Sequence, residues 1–270
     1  MLRALTRQVS TTFAECELTF VDRQPIDVEK AIAQHRAYEA CLTDLGVLVT
    51  SLPADPEFPD GVFVEDPAIV LDELAIITRP GAESRRGETE SIAQALTNFR
   101  ELRYIDEPAT LEGGDVVHIG KTLYVGLSRR TNSEGIAQLT ELLKPFDYRV
   151  VAVEVKGCLH LKSGVCWAGG DVILANREWI DAAHFRDFKI IDVPNDEPSA
   201  ADVLPIGDTL LVPANFIHTR ESLEGQGIKV RPVGVSELQK AEAGVTCMSL
   251  VFNVAHASRR AASTLVSTSG

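Results

Sequence analysis

The sequence predicts a mixed α/β fold in which one short unit, a tight hairpin followed by a helix and a further strand, recurs along the chain. Apolar runs of four or five residues bracket turn signals at Asp72-Glu73, Gly120-Lys121, Gly169-Gly170-Asp171 and Gly207-Asp208, and these turns stand about 48, 50 and 37 residues apart. Helical periodicity follows two of the hairpins. The composition, 45% hydrophobic and 24% charged without a low-complexity tract, is that of a chain able to bury a sizeable core.

In chain order, a strand is expected near residues 3–9. An amphipathic helix over residues 27–45 follows, stopped by Gly46, with Val28, Ile32, Cys41, Leu42 and Leu45 inward. A hairpin over residues 62–78 leads to a helix begun by Ser84, with Ile92, Leu96 and Phe99 at helical spacing. The hairpin over residues 116–125 leads to a helix capped by Asn132, with Ile136, Leu139 and Leu142 on one face. Two more hairpins cover residues 164–174 and 203–212. A last strand, residues 247–254, would complete a fifth copy by pairing with the first strand, closing the repeats into a ring. The strand starts would then surround one central channel, where chemistry is expected.

With 26 basic against 39 acidic side chains the formal net charge is −13, which repels nucleic acid and suits small cations. No apolar stretch approaches the roughly 18 to 20 residues that span a bilayer, so no membrane partner is expected. The first residues lack the apolar core of a signal peptide, and the expected location is the cytoplasm. Five scattered cysteines without a CxxC pair disfavour a disulfide framework or a structural zinc site.

The candidate chemistry lies at the entries to the hairpins. Phe63-Val64-Glu65-Asp66-Pro67 and Leu111-Glu112-Gly113-Gly114-Asp115 occupy the same place in successive repeats and would aim two acidic clusters at one point. Carboxylates there are costly to bury unless a cation meets them, and a planar guanidinium fits. His160 stands at the corresponding point of the third repeat, and Cys247 starts the last strand in the same register. A thiol and an imidazole at a carboxylate-lined pocket suit nucleophilic catalysis at a guanidinium carbon. Either could also ligate zinc, but the spacing gives no further ligands, so no metal is expected. Arginines between hairpin and helix, in Arg79-Pro80-Gly81-Ala82-Glu83-Ser84-Arg85-Arg86 and in Ser128-Arg129-Arg130-Thr131-Asn132, suit a small carboxylate. Taken singly, each acid, histidine or arginine is as readily a cap, a core residue or a surface ion pair.

Six stretches taken together resemble the dimethylarginine dimethylaminohydrolases: residues 58–66, residues 77–86, Glu112-Gly113-Gly114-Asp115, residues 128–132, Leu159-His160-Leu161-Lys162 and Thr246-Cys247-Met248-Ser249. The likeness runs over nearly the whole chain, in order. It implies a five-bladed αββαβ propeller, the pentein fold, with pseudo-fivefold symmetry and a central active-site channel, as one catalytic domain over residues 1–270. It also implies hydrolysis of methylated arginine to citrulline without a cofactor. Carried over by position, the nucleophile falls on Cys247, the proton donor and base on His160 and its orienting carboxylate on Glu112. Asp66 falls where the guanidinium is held. Asp60, Glu65, Arg85 and Arg130 fall where the rest of the substrate is held, the two arginines receiving its α-carboxylate. Leu18 and Ala241 match an amino-terminal lid and the loop before the cysteine. Arginine deiminases, agmatine deiminases and amidinotransferases share the catalytic residue types, and a ribosome-associated translation factor resembles the same ring without a nucleophile. Oligomeric state, a homodimer included, is left open by the sequence.

Overall fold

The computed structural model describes residues 1–254, so residues 255–270 of the expected domain lie outside the described residues. Strand β1 (Leu2–Arg7), helix α1 (Val28–Asp44) and strand β2 (Leu48–Leu52) open the chain. Four hairpin units follow. The first holds β3 (Ala68–Val70), β4 (Leu74–Ile77), α2 (Glu88–Leu96) and β5 (Glu101–Tyr104). The second holds β6 (Val116–Ile119), β7 (Thr122–Leu127), α3 (Ser133–Leu143) and β8 (Arg149–Glu154). A short helix α4 (Leu161–Gly164) introduces the third, with β9 (Val165–Gly169), β10 (Val172–Ala175) and β11 (Lys189–Asp192). The fourth holds β12 (Leu204–Ile206), β13 (Thr209–Pro213), α5 (Ile217–Gly225) and β14 (Lys229–Val233), before α6 (Ser236–Gln239) and β15 (Leu250–Asn253).

These strands form five three-stranded sheets of one pattern, in which the middle strand is antiparallel to the strand before it and parallel to the one after. A two-residue turn suffices for the antiparallel step, and Gly120 (φ 59°) and Gly207 (φ 60°) supply left-handed backbone there. The parallel step needs a crossover, which α2, α3 and α5 provide. In the third unit the crossover carries only a 3-10 turn, Ala182–Phe185. The fifth sheet, ordered β15-β1-β2, joins the two ends of the described chain, with Leu5 opposite Leu250 and Leu2 opposite Asn253.

Alternation along the middle strands sends side chains to two neighbouring cores. In β4, Leu74 and Ile76 pack with Leu111, Val116 and Leu123 of the second unit, whereas Ala75 and Ile77 pack with Leu5, Leu250 and Phe252 of the fifth sheet. Val117 and Val153 meet Val165 and Ile173; Cys166 and Leu174 meet Val203 and Leu210. Ile206, Leu211 and Val233 return to Ala4 and Tyr38. Each apolar cluster thus joins one sheet to the next, and the last leads back to the first.

Several expectations about elements are corrected. The helix expected from Ser84 begins at Glu88 and ends at Leu96, before Phe99, and the last strand begins at Leu250, three residues after Cys247. Helix α1 is capped by Asp27, which accepts the Lys30 N–H at 3.0 Å, but its buried face is Ala31, His35, Tyr38, Cys41 and Leu42. Val28, Ile32 and Leu45 lie at the edge of that face, only partly buried. The first hairpin is shorter than the apolar run suggests, because residues 62–67 form turns that bring Glu65 and Asp66 inward before β3 begins.

Candidate active site

The entries to the first strands carry most of the candidate residues, and the fold draws them together by short, explicit contacts. Glu112 is fully buried. One carboxylate oxygen accepts the backbone N–H of Gly81 at 3.0 Å and of Ala82 at 3.4 Å, with Arg130 at 3.4 Å. The other lies 2.6 Å from His160 Nε2. Asp66 faces the same ring nitrogen at 3.8 Å, accepts the Gly114 N–H at 3.0 Å and pairs with Arg85 at 2.7 Å. A side chain at Gly114 would place its Cβ 2.6 Å from His160 Nδ1, so the ring can stand there only over a bare backbone.

Burial alone would discharge the His160 ring, but Asp66, the Glu112 hydrogen bond and Asp115 raise its pKa to about 9. Burial pushes the Asp66 carboxyl up, yet His160 and Arg85 bring it down to about 2. Glu112 is also held below its ordinary value against the cost of burial, chiefly by its hydrogen bond to His160. The resting cluster is therefore an imidazolium between two carboxylates. The donor atoms of Asp66, Glu112 and His160 lie within 4.8 Å of one another, close enough to hold a cation. Arg85 and the charged ring already supply positive charge to them.

Cys247 belongs to a second group. Its carbonyl accepts the Glu65 N–H at 3.2 Å, its Sγ lies 3.4 Å from the Gly244 N–H and 3.9 Å from an oxygen of Asp202. Burial and the nearby Asp202, Glu65 and Asp66 charges push the thiol well above its usual pKa, so it rests protonated. Among the described residues Cys247 and His160 make no hydrogen bond to each other. Glu65 pairs with Lys162 at 2.5 Å and takes the Thr246 hydroxyl at 2.8 Å, while the same hydroxyl lies 3.2 Å from Asp202. One hydroxyl hydrogen cannot serve two ionised carboxylates, so one of them carries a proton. Lys162 opposes the rise that burial imposes on Glu65, whereas burial and the Glu65 charge push Asp202 up to about 7. Glu65, ion-paired to Lys162, keeps its charge, and Asp202 carries the proton below about pH 7.

The remaining candidates rim these groups. Arg85 is buried and gives its N–H groups to Asp66, to both oxygens of Glu88 and to the Phe63 carbonyl, which leaves one of its five donors for a further ligand. Arg130 reaches Glu112 and, at 3.1 Å, the Thr19 hydroxyl. Asp60 is buried, its carboxyl raised by desolvation, and accepts the Glu17 N–H at 3.0 Å. Leu18 and Ala241 share one apolar cluster with Met248, against which Cys247 also packs.

Several residues without an assigned role belong to the site, Asp115, Lys162 and Thr246 from within the stretches already singled out and Asp202 and Glu88 from outside them. Asp115, raised to about 6 mainly by burial, accepts the Leu161 N–H at 2.9 Å and the Ser128 hydroxyl at 2.6 Å, fixing the backbone next to His160. Asp202 stands two residues before the first strand of the fourth unit, at a hairpin entry like those that hold Glu65, Glu112 and His160. Lys162, Thr246 and Glu88 carry no such signal, because only their partners from distant segments give them a role.

Comparisons with known proteins place the chain in a family. A family model described as eukaryotic N,N dimethylarginine dimethylhydrolase matches residues 17–201. The dimethylarginine dimethylaminohydrolase of Pseudomonas aeruginosa is 41% identical over 228 residues, 84% of this chain and 90% of that protein. That of Streptomyces coelicolor is 38% identical over 249 residues, 92% of this chain and 96% of that protein. A solved structure of the Pseudomonas aeruginosa enzyme, a cysteine-to-serine mutant complexed with citrulline, superimposes with a TM-score of 0.90 at 38% identity, covering 93% of this chain and all of that one. By family model, identity and fold together, this chain belongs to the dimethylarginine dimethylaminohydrolase family of hydrolases.

Proposed function

We propose that the chain hydrolyses Nω-methylated arginines, both dimethylarginine and monomethylarginine, to citrulline and dimethylamine or methylamine through a covalent intermediate on Cys247. The reading takes residues 1–270 as one domain, a five-bladed αββαβ propeller whose five sheets surround a central channel. The cyclic succession of apolar clusters between sheets supports this architecture. The observation that carries the chemistry is the buried His160 between Glu112 and Asp66, linked through Glu65 to the backbone of Cys247.

The substrate guanidinium would lie among Asp66, Glu65 and their neighbours, where several buried carboxylates stand together. Its positive charge offsets the acids that hold the thiol protonated, so Cys247 gives up its proton to solvent as the substrate binds. The thiolate adds to the guanidinium carbon. The carbon–nitrogen bond to the methylated amine breaks, and imidazolium His160 gives that nitrogen its proton. An S-alkylthiouronium remains on Cys247. Water, losing a proton to the now neutral His160, adds to the same carbon, and cleavage of the carbon–sulfur bond yields citrulline and the thiol. Glu112 keeps the ring oriented throughout. Arg85, with its one remaining donor, and Arg130 would hold the α-carboxylate, while Asp60, Leu18 and Ala241 would contact the remainder of the amino-acid end.

Five free cysteines fit a reducing compartment, and the cytoplasm is the proposed location. No described helix is long and apolar enough to cross a membrane. The test is citrulline release measured in parallel from dimethylarginine, monomethylarginine, arginine and agmatine, in the native chain and in Cys247→Ser. The native chain should turn over the two methylated substrates, and Cys247→Ser should lose at least about 1,000-fold in kcat with its fold intact. Reaction with unmethylated arginine alone would refute the substrate assignment.

A further inference from the structure

Glu242 stands between Ala241 and the turn that leads into Cys247. It is one of two non-glycine residues among the described ones with left-handed backbone, at φ 60°. That conformation is unfavourable for a residue with a Cβ, so surrounding contacts must hold it. The contacts come from the amino-terminal segment. The Glu242 carboxylate accepts the backbone N–H groups of three successive residues: Thr19 at 2.7 Å, Phe20 at 2.5 Å and Val21 at 3.0 Å.

Residues 16–27 belong to no helix or strand, so these amides have no ladder partners. Three consecutive N–H groups converging on one carboxylate make a backbone anion site filled by the chain's own side chain. The same segment is tied at its other end by the Glu17 N–H to Asp60, and from the side by Arg130 to the Thr19 hydroxyl. The Arg129 guanidinium lies over the Phe20 ring at 5.1 Å. Leu18 therefore sits between two anchored residues, and Ala241 is the immediate neighbour of the anchor.

We propose that Glu242 is a positioning residue that latches residues 17–21 onto the nucleophile loop and so sets Leu18 and Ala241 at the distance that grips the amino-acid end of the substrate. The latch itself rests on geometry alone; its kinetic consequence rests on the function proposed above. The carboxylate does not touch the reacting atoms. It acts through backbone placement, so it governs binding of the substrate's far end more than the chemical step.

Glu242→Gly separates the latch from folding, because glycine adopts φ 60° without strain while the carboxylate is removed. Amide hydrogen exchange of Thr19 to Val21 in the unliganded enzyme should quicken at least about tenfold in Glu242→Gly, with the exchange of the five sheets unchanged. KM for dimethylarginine should rise roughly tenfold with kcat within about threefold, and Glu242→Gln, which keeps one acceptor oxygen, should fall between. Alkylation of Cys247 by 2-chloroacetamidine, which has no amino-acid end, should not slow. Unchanged exchange in Glu242→Gly overturns the latch even if the chain acts on another substrate. A fall in kcat with KM unchanged overturns the positioning role.

Discussion

Asp202 shows how a single proton shapes the site. Its carboxyl holds the Thr246 N–H at 3.0 Å and the Thr246 hydroxyl at 3.2 Å, and it stands 3.9 Å from the Cys247 sulfur. Asparagine has the shape and the neutrality of the protonated acid, so Asp202→Asn should fold normally and retain activity within a few-fold. Asp202→Ala leaves a buried N–H unpaired and should destabilise the protein by about 1 to 3 kcal/mol. Above about pH 7 the native Asp202 is ionised and opposes thiolate formation, and asparagine removes that opposition. The pH profile of Cys247 alkylation by iodoacetamide should therefore move at least about half a unit lower in Asp202→Asn. An unmoved profile would show that Asp202 does not govern the nucleophile. Such a role is not readable from a lone aspartate in Ser199-Ala200-Ala201-Asp202, because the thiol it faces lies 45 residues away.

Among the elements, helix α3 repays its sequence signal most directly. Asn132 accepts the Gly135 N–H at 2.8 Å as an ordinary cap, and the same oxygen takes the Thr110 N–H at 2.9 Å, tying the helix start to the segment that leads into Glu112. Asn132→Ala should cost about 1 to 2 kcal/mol, read as a lowered denaturant midpoint. A change smaller than a few tenths would show that the second contact adds nothing. Three of the hairpins were legible because their turns hold glycine with left-handed backbone, and the first, turning at Asp72-Glu73, only through its apolar flanks. Helix α1 was legible in its ends, through Asp27 and Gly46, but in its buried face only at Cys41 and Leu42. There His35 and Tyr38 are inward because the Tyr38 hydroxyl bonds the Val245 carbonyl and the Ser249 hydroxyl, partners more than 200 residues away.

For the whole molecule, buried charge sets how stability varies with pH. The folded His160 ring titrates near 9, above its ordinary 6.5, so its contribution is complete below pH 6.5 and is lost as pH rises through 9. Asp115, Glu88 and Asp202, at about 6, 7 and 7, are acids whose folded values lie above the ordinary carboxylate range; their contributions are lost as pH rises from about 4 to 7. Asp66, near 2, acts in the opposite sense and loses its contribution as pH falls through 2. The unfolding free energy should thus decline steadily between pH 5 and 9, and His160→Gln should flatten the portion above 6.5. Denaturant titrations at four pH values check both slopes; a native stability flat from 5 to 9 would contradict the charged resting cluster.

The sequence by itself determined the repeat, the turns, the caps and the register that points to Glu65, Glu112, His160 and Cys247, because those signals are local: a positive φ, a period, a run of apolar residues. The tertiary structure alone decided which charges are ionised, which acid shares its proton with a threonine, why Arg85 has one donor left and how Glu242 holds the amino-terminal segment. Each of these depends on burial and on partners from distant parts of the chain, and burial and proximity arise only when the sheets have packed.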